Sequence, residues 1–176
     1  MHPVEVKTAL ESAVLCLDTR EQDTPRLRAR LSQIGWPVER RKLDFGDYSV
    51  KCDALSLVGA VSIERKMSVT ELCECFTRGR ARFRREFKRA EEAGATMYLL
   101  VEDASWEDIY AGKYRSKMKP EALVASIIAW LARYNYQIIF CKPETTGQLI
   151  KDILYRELKE RLEAIPDEEV QGDPDA

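Results

Sequence analysis

Val61-Ser62-Ile63-Glu64-Arg65-Lys66, read with the upstream stretch Gly46-Asp47-Tyr48, decides the fold. Side chains alternate along a strand with period two. If residues 61 to 66 are extended, Val61 and Ile63 share a face that can pack inward, and Glu64 and Lys66 share the other. A hairpin pairing of residues 48–51 with this strand would bring Asp47 beside Glu64. Two carboxylates form a site for a hard divalent cation with oxygen ligands. A lysine at its edge can orient an attacking water and hold a phosphate oxygen. This is the residue set of a metal-dependent phosphodiesterase.

Outward from this pair the chain alternates strand and helix. Residues 14–17 (Val-Leu-Cys-Leu) read as a buried strand that ends at Asp18. Thr24 is placed to cap a helix that Pro25 opens, with Leu27, Leu31 and Ile34 as its stripe and Gly35 as its stop. Residues 37–44 and 48–52 read as strands around Asp44-Phe45-Gly46-Asp47. Residues 68–76 and 79–93 read as helices, and 96–102 as a second buried strand. The segment 110–118 reads as a mobile basic loop. Pro120 opens a long helix with an inner stripe of Leu123, Ile127 and Leu131, flanked by Val124, Ile128 and Tyr134. Residues 136–141 form another strand. Thr145 and Gln148 have capping-box spacing for a last apolar helix. Such alternation implies an α/β sheet with crossover connections and helices on both faces.

The length suits one domain. Residues 1–12 read as an N-terminal arm, 13–164 as the domain, and 165–176 as an acidic, disordered tail. No apolar run is long enough to span a bilayer, and no signal peptide is evident. Five cysteines without paired spacing argue for a reducing, intracellular compartment and for apolar filler roles. Cys73 and Cys75 are one residue apart and His2 is the only histidine, which argues against a zinc site. The net charge of -2 hides a division. The last eleven residues carry five acids and no base, so the rest holds 28 basic against 25 acidic residues, a net +3. The bases are concentrated: Arg78, Arg80, Arg82, Arg84, Arg85, Lys88 and Arg89 are opposed only by Glu86. On a helix Arg78, Arg82, Arg85 and Arg89 form one stripe, while Phe83 and Phe87 face the core. Like charges so placed repel mildly, which favours phosphate binding over a merely solvated face. Trp36, Trp106, Trp130 and Tyr48 read as packing residues.

Asp18, Arg20, Glu21, Gly46, Asp47, Glu64, Arg65 and Lys66, in that order, together with Gly79-Arg80, carry a resemblance. The chain resembles the nuclease domain of XPF-type structure-specific endonucleases, a branch of the PD-(D/E)xK fold. The resemblance spans roughly residues 13–160. It implies an α/β, restriction-endonuclease-like fold, with a central mixed β-sheet flanked by helices on both faces. One position departs: the acid that the family carries four residues after the lysine is Thr70 here. Glu71 and Glu74 lie close by, and Ser68 or Thr70 could instead cap a helix. That departure bears on the metal-binding geometry, not on the fold. The tandem helix-hairpin-helix domain usual in the family is also missing, so the chain resembles a stand-alone form.

The resemblance implies a metal-dependent DNA endonuclease acting on branched or flapped DNA, in repair or recombination. Asp47, Glu64 and the backbone carbonyl of Arg65 would bind Mg²⁺ or Mn²⁺, and Lys66 would position the nucleophile. Asp18 and Glu21 would complete the catalytic group by holding a second metal or orienting the first. Arg20, Arg65, Arg78, Arg80, Arg82, Arg85, Arg89, Lys113, Arg115 and Lys117 are the expected DNA contacts, with Arg80 also a candidate for the active site. A homodimer and a separate DNA-binding partner are expected, and no membrane. The alternatives are a catalytically silent module that holds DNA or a partner, and a sequence-specific restriction enzyme on the same fold.

Overall fold

The computed structural model describes residues 1–166. The expected acidic tail, from residue 167 on, lies outside the described residues. The elements run α1 (Pro3–Glu11), β1 (Val14–Asp18), α2 (Pro25–Ile34), β2 (Val38–Arg41), β3 (Tyr48–Lys51), β4 (Val61–Lys66), α3 (Val69–Phe76) and α4 (Arg80–Glu92). There follow β5 (Thr96–Glu102), α5 (Trp106–Tyr110), α6 (Pro120–Arg133), β6 (Tyr136–Cys141) and α7 (Pro143–Glu163). The strands form one mixed sheet in the order β2-β1-β3-β4-β5-β6. β1 pairs with β2 in parallel and with β3 antiparallel, β3 pairs with β4 antiparallel, and β4, β5 and β6 are parallel. This is the expected α/β class, with helices on both faces.

Local chemistry sets the boundaries. The Thr24 hydroxyl accepts from Leu27 N at 3.1 Å, and Gly35 closes α2 in the left-handed region. Ser68 caps α3 and Ser105 caps α5 in the same way. The sheet separates two apolar cores. On one side Leu15, Leu17, Tyr48, Val61, Ile63 and Leu100 pack against Leu27 and Ile34 of α2, Val6 and Leu10 of α1, and Ile150, Leu154, Leu158 and Leu162 of α7. On the other, Met97, Leu99 and Val101 meet α3, α4 and α6. There Phe83 stacks on Trp130 at 4.9 Å between centroids, and Phe87 meets Trp130 edge-on at 4.9 Å. Such aromatic pairs are worth about 0.5–1.5 kcal/mol each beyond the area they bury. They fix the rotation of α4 about its axis, which matters for the residues on its other flank.

Several details add to the expectations or differ from them. The arm is a helix: His2 caps α1, Glu5 returns a bond to the His2 N–H, and Val6, Ala9 and Leu10 are buried. The strand read over 37–44 is shorter, Val38–Arg41, and β1 lies between it and β3. Residues 106–110, to which no element had been assigned before position 110, form a short helix, and the segment after it, read as a mobile loop, is pinned by hydrogen bonds. The α6 stripe ends on buried Trp130 rather than Leu131, while Ile128 is exposed. The capping box at Thr145 does not form, since Pro143 starts α7 earlier, and Gln148 bonds to Asp152 instead. The buried apolar stripe of α7 packs into the core.

Candidate functional site

Asp47 sits where β1, β3 and β4 meet. Its N–H donates to Ile63 O at 2.8 Å, its carbonyl accepts from Asp18 N at 2.9 Å, and its Oδ2 accepts from Arg65 N at 2.8 Å. Tyr48 opposes Ile63 across the ladder, so Asp47 falls on the same side as Glu64 and Lys66, the side facing α3 and α4. The turn before it needs glycine. Gly46 has φ +71°, and a Cβ there would overlap Ser62 Oγ, whose hydroxyl donates to Phe45 O at 2.9 Å. Gly46 N donates in turn to Glu86 Oε1 of α4 at 2.8 Å.

Glu64 and Lys66 are both buried and form a close ion pair. Lys66 Nζ also lies 4.0 Å from Glu71 Oε1 and 5.6 Å from the centroid of the Phe83 ring. Burial pushes the Asp47 carboxyl up to about 7, with Lys66 opposing and Glu21 adding to the rise. Burial and the Asp47 charge hold Glu64 well above the usual carboxylate range, against the pull of Lys66. Burial acts against the Lys66 charge, but Glu64 and Asp47 outweigh it and hold the ammonium above its ordinary value. Lys66 is therefore a permanent hydrogen-bond donor at neutral pH and not a base.

These groups open into a cavity of about 290 Å³. Its acids are Glu21, Asp47, Glu64, Glu71 and Glu86, and its bases Arg20, Arg65, Lys66, Arg82 and Arg89. Among the described residues no three histidine, cysteine or carboxylate side chains converge tightly enough to hold a metal ion by themselves. The donor chemistry nevertheless fits a divalent cation. Glu64 is a buried and Asp47 a half-buried hard-oxygen donor, and the Asp47 charge discourages the ionisation of Glu64, which a shared cation would relieve.

Asp47, Glu64, Lys66 and Glu21 are brought together as expected. Asp18 has a different place. Its Oδ1 accepts from Arg20 N at 2.8 Å and from Arg20 Nε at 2.6 Å, and its Oδ2 from Leu43 N at 2.7 Å. Burial would raise its pKa, yet these bonds to Arg20 and Leu43 hold it below the ordinary value. Asp18 is thus an ionised anchor for Arg20 and the Leu43 backbone, outside the cavity lining. Glu21 accepts from the Tyr48 hydroxyl at 3.3 Å.

The expected DNA contacts divide. Arg20, Arg82 and Arg89 reach the cavity. Arg65 lines it too, but its guanidinium is engaged by buried Glu102 at 3.2 Å. Arg78 pairs with Glu74 at 2.8 Å, and Lys113 with Asp108 at 3.2 Å. Arg80 and Arg85 are exposed on α4 and line no part of the cavity, so Arg80, considered for the active site, lies outside it, whereas Arg82 and Arg89 line it. Arg115 and Lys117 line a neighbouring cavity.

Three residues escaped the sequence reading. Glu86 had a signal, as the one acid in a run of arginines, set between Phe83 and Phe87 on the inward side of α4. Arg30 and Glu102 had none, being joined only in space. Arg30 Nη1 donates to the Tyr48 hydroxyl at 2.6 Å, and Nη2 lies 3.8 Å from Glu102.

The mixed sheet with acids and a lysine at the junction of β1, β3 and β4 defines a restriction-endonuclease-like nuclease domain. The chain belongs to the ERCC4 domain family, whose model matches residues 17–153. It is similar to XPF from Aeropyrum pernix, with a TM-score of 0.60 and 21% identity over 84% of this chain and 68% of that one. No curated protein sequence matches it.

Proposed function

We propose that this chain is a divalent-metal-dependent DNA endonuclease that cuts branched or flapped DNA, as in repair or recombination. The observation that carries the reading is the meeting of Asp47, Glu64 and Lys66 in one solvent-open cavity edged by arginines. Asp47, Glu64 and the Arg65 carbonyl would hold Mg²⁺ or Mn²⁺. When bound, the ion supplies Lewis-acid polarisation of the phosphodiester. Lys66, charged and fixed by Glu64, directs hydrogen bonds to the attacking water and to a phosphate oxygen. Arg82 and Arg89 offset the phosphate charge. Glu86 holds Gly46, and hence the turn that aims Asp47. Backbone phosphates carry no sequence information, so plain duplexes of different sequence are expected to behave alike.

The test is cleavage of labelled forks, flaps, four-way junctions and duplexes with Mg²⁺ or Mn²⁺. Asp47→Ala and Lys66→Ala should each lose cleavage by at least about a hundredfold while retaining DNA binding. Cleavage that persists in either variant removes the assignment. Binding without cleavage by the parent chain points instead to a silent module, and discrete cutting of plain duplex to a restriction enzyme.

A further inference from the structure

We propose that a single-stranded arm of the DNA leaves the catalytic cavity along a trough whose far wall, a basic loop, is latched in place by Thr70. The proposal rests on the nuclease reading and names the part of the substrate that this side of the site accepts. Three cavities run into one another. The catalytic one shares Lys66, Glu71 and Arg82 with a second of 380 Å³, and that one shares Glu74 and Arg78 with a third of 660 Å³. The third is closed by Arg115, Ser116, Lys117 and Met118, from the segment between α5 and α6.

That segment is held by specific bonds. Arg115 N donates to Thr70 Oγ1 at 3.1 Å, the Tyr114 hydroxyl donates to Met118 O at 2.9 Å, and Met118 N donates to Ser116 Oγ at 3.2 Å. Thr70 lies in the first turn of α3, directly after the strand that bears Glu64 and Lys66. Its hydroxyl therefore ties the basic loop to the element that carries the chemistry.

The trough has the composition a single strand requires. Arg78, Arg82, Arg115 and Lys117 stand against Glu71 and Glu74, and Glu74 is already matched by Arg78. Cys75, Phe83 and Met118 supply apolar lining. A basic track with apolar surface beside it binds the backbone and bases of an unpaired strand with little sequence preference. Clefts of about 300–1,000 Å³ are the size that takes small ligands, and the second and third cavities, at 380 and 660 Å³, have room for about a nucleotide each. Thr70 is a positioning residue in this scheme and touches no reacting atom.

The experiment uses the full chain and duplexes bearing single-stranded arms of increasing length, at substrate levels below saturation. With the parent protein the cleavage rate should rise with arm length and then level off. Arg115→Ala/Lys117→Ala and Thr70→Val should cut that rise by about tenfold, the loss falling more on KM than on kcat. Thr70→Ser, which keeps the hydroxyl, should retain the rise. A rise undiminished in both Thr70→Val and the double variant overturns the proposal. Should Thr70→Val lower the thermal midpoint, the double variant on the exposed loop decides alone. Fluorescence anisotropy of a labelled single-stranded oligonucleotide, with metal-free protein, reads the trough without cleavage. The double variant should bind about tenfold more weakly, and equal affinity overturns the proposal even if no DNA is cut at all. A chain that cuts nothing but shows this binding loss sinks the nuclease reading and leaves the trough standing.

Discussion

Asp47 carries an electrostatic tension that the chain imposes on itself. Burial lifts its carboxyl to about 7, Lys66 and the Arg65 N–H act the other way, and Glu21 and Glu86 add to the lift. Between the ordinary value of 3.8 and about 7, the folded chain without metal keeps a proton that the unfolded chain has lost. Stability therefore falls as pH rises through that window. Asp47→Asn removes the penalty. In chelator, urea unfolding should show the variant more stable than the parent by roughly 1–3 kcal/mol at pH 8, with the gain vanishing near pH 4. Equal stability at both ends would mean that the carboxyl is not held up. The same residues mark what a sequence can disclose at this scale. Period-two alternation suffices to put Glu64 and Lys66 on one face, and a hairpin suffices to add Asp47. Asp18 matched by residue type, but its role depends on the Leu43 N–H, which chain order does not place beside it. Glu86 acts through the Gly46 N–H, forty positions away along the chain.

The elements were legible where their ends carry chemistry: Thr24 with Pro25, Gly35, Ser68 and Pro120. They were less legible where a short piece lacks a full period, as in α5, or where an earlier proline starts a helix, as in α7. Strand order was hidden, because inserting β1 between β2 and β3 is a property of the crossover and not of either strand. One helix contact reaches the site. Gly147 of α7 lies against α2, where a Cβ would overlap Gln33 Oε1 and come within 2.7 Å of Arg30 O. α2 in turn supplies Arg30 to Tyr48 of β3 and Glu102 of β5. Gly147→Ala should cost about 1–3 kcal/mol by overpacking, read as a lower denaturant midpoint with an unchanged slope. Gly46→Ala should be more severe, since it meets both left-handed backbone and Ser62. A loss above about 3 kcal/mol is expected, and an unchanged midpoint would show that the turn has another conformation open to it.

At the scale of the molecule the sheet separates a core that only stabilises from one that also presents chemistry. α1, α2 and α7 bury their stripes on one side, and α3 and α4 turn Glu71, Arg82, Glu86 and Arg89 toward the cavity on the other. Because Asp47 and Glu64 repel each other in the folded state only, an ion that binds them should stabilise the whole fold. At a free ion concentration a hundredfold above Kd the gain is about 2.7 kcal/mol. The thermal midpoint should therefore rise with Mg²⁺ or Mn²⁺ in the parent and stay flat in Asp47→Asn. The basic residues follow the same division, and this predicts how DNA affinity depends on salt. Each phosphate neutralised contributes about 0.7 to the slope of log affinity against log salt for a single strand and about 0.9 for duplex. Arg78, Arg82, Arg89, Arg115 and Lys117 lie along one connected surface, so a steep slope of about −3 to −4 is expected for a strand that contacts them all. Arg115→Ala/Lys117→Ala should flatten it by roughly 1.4 and weaken all sequences alike. A slope near zero would place the DNA elsewhere on the molecule.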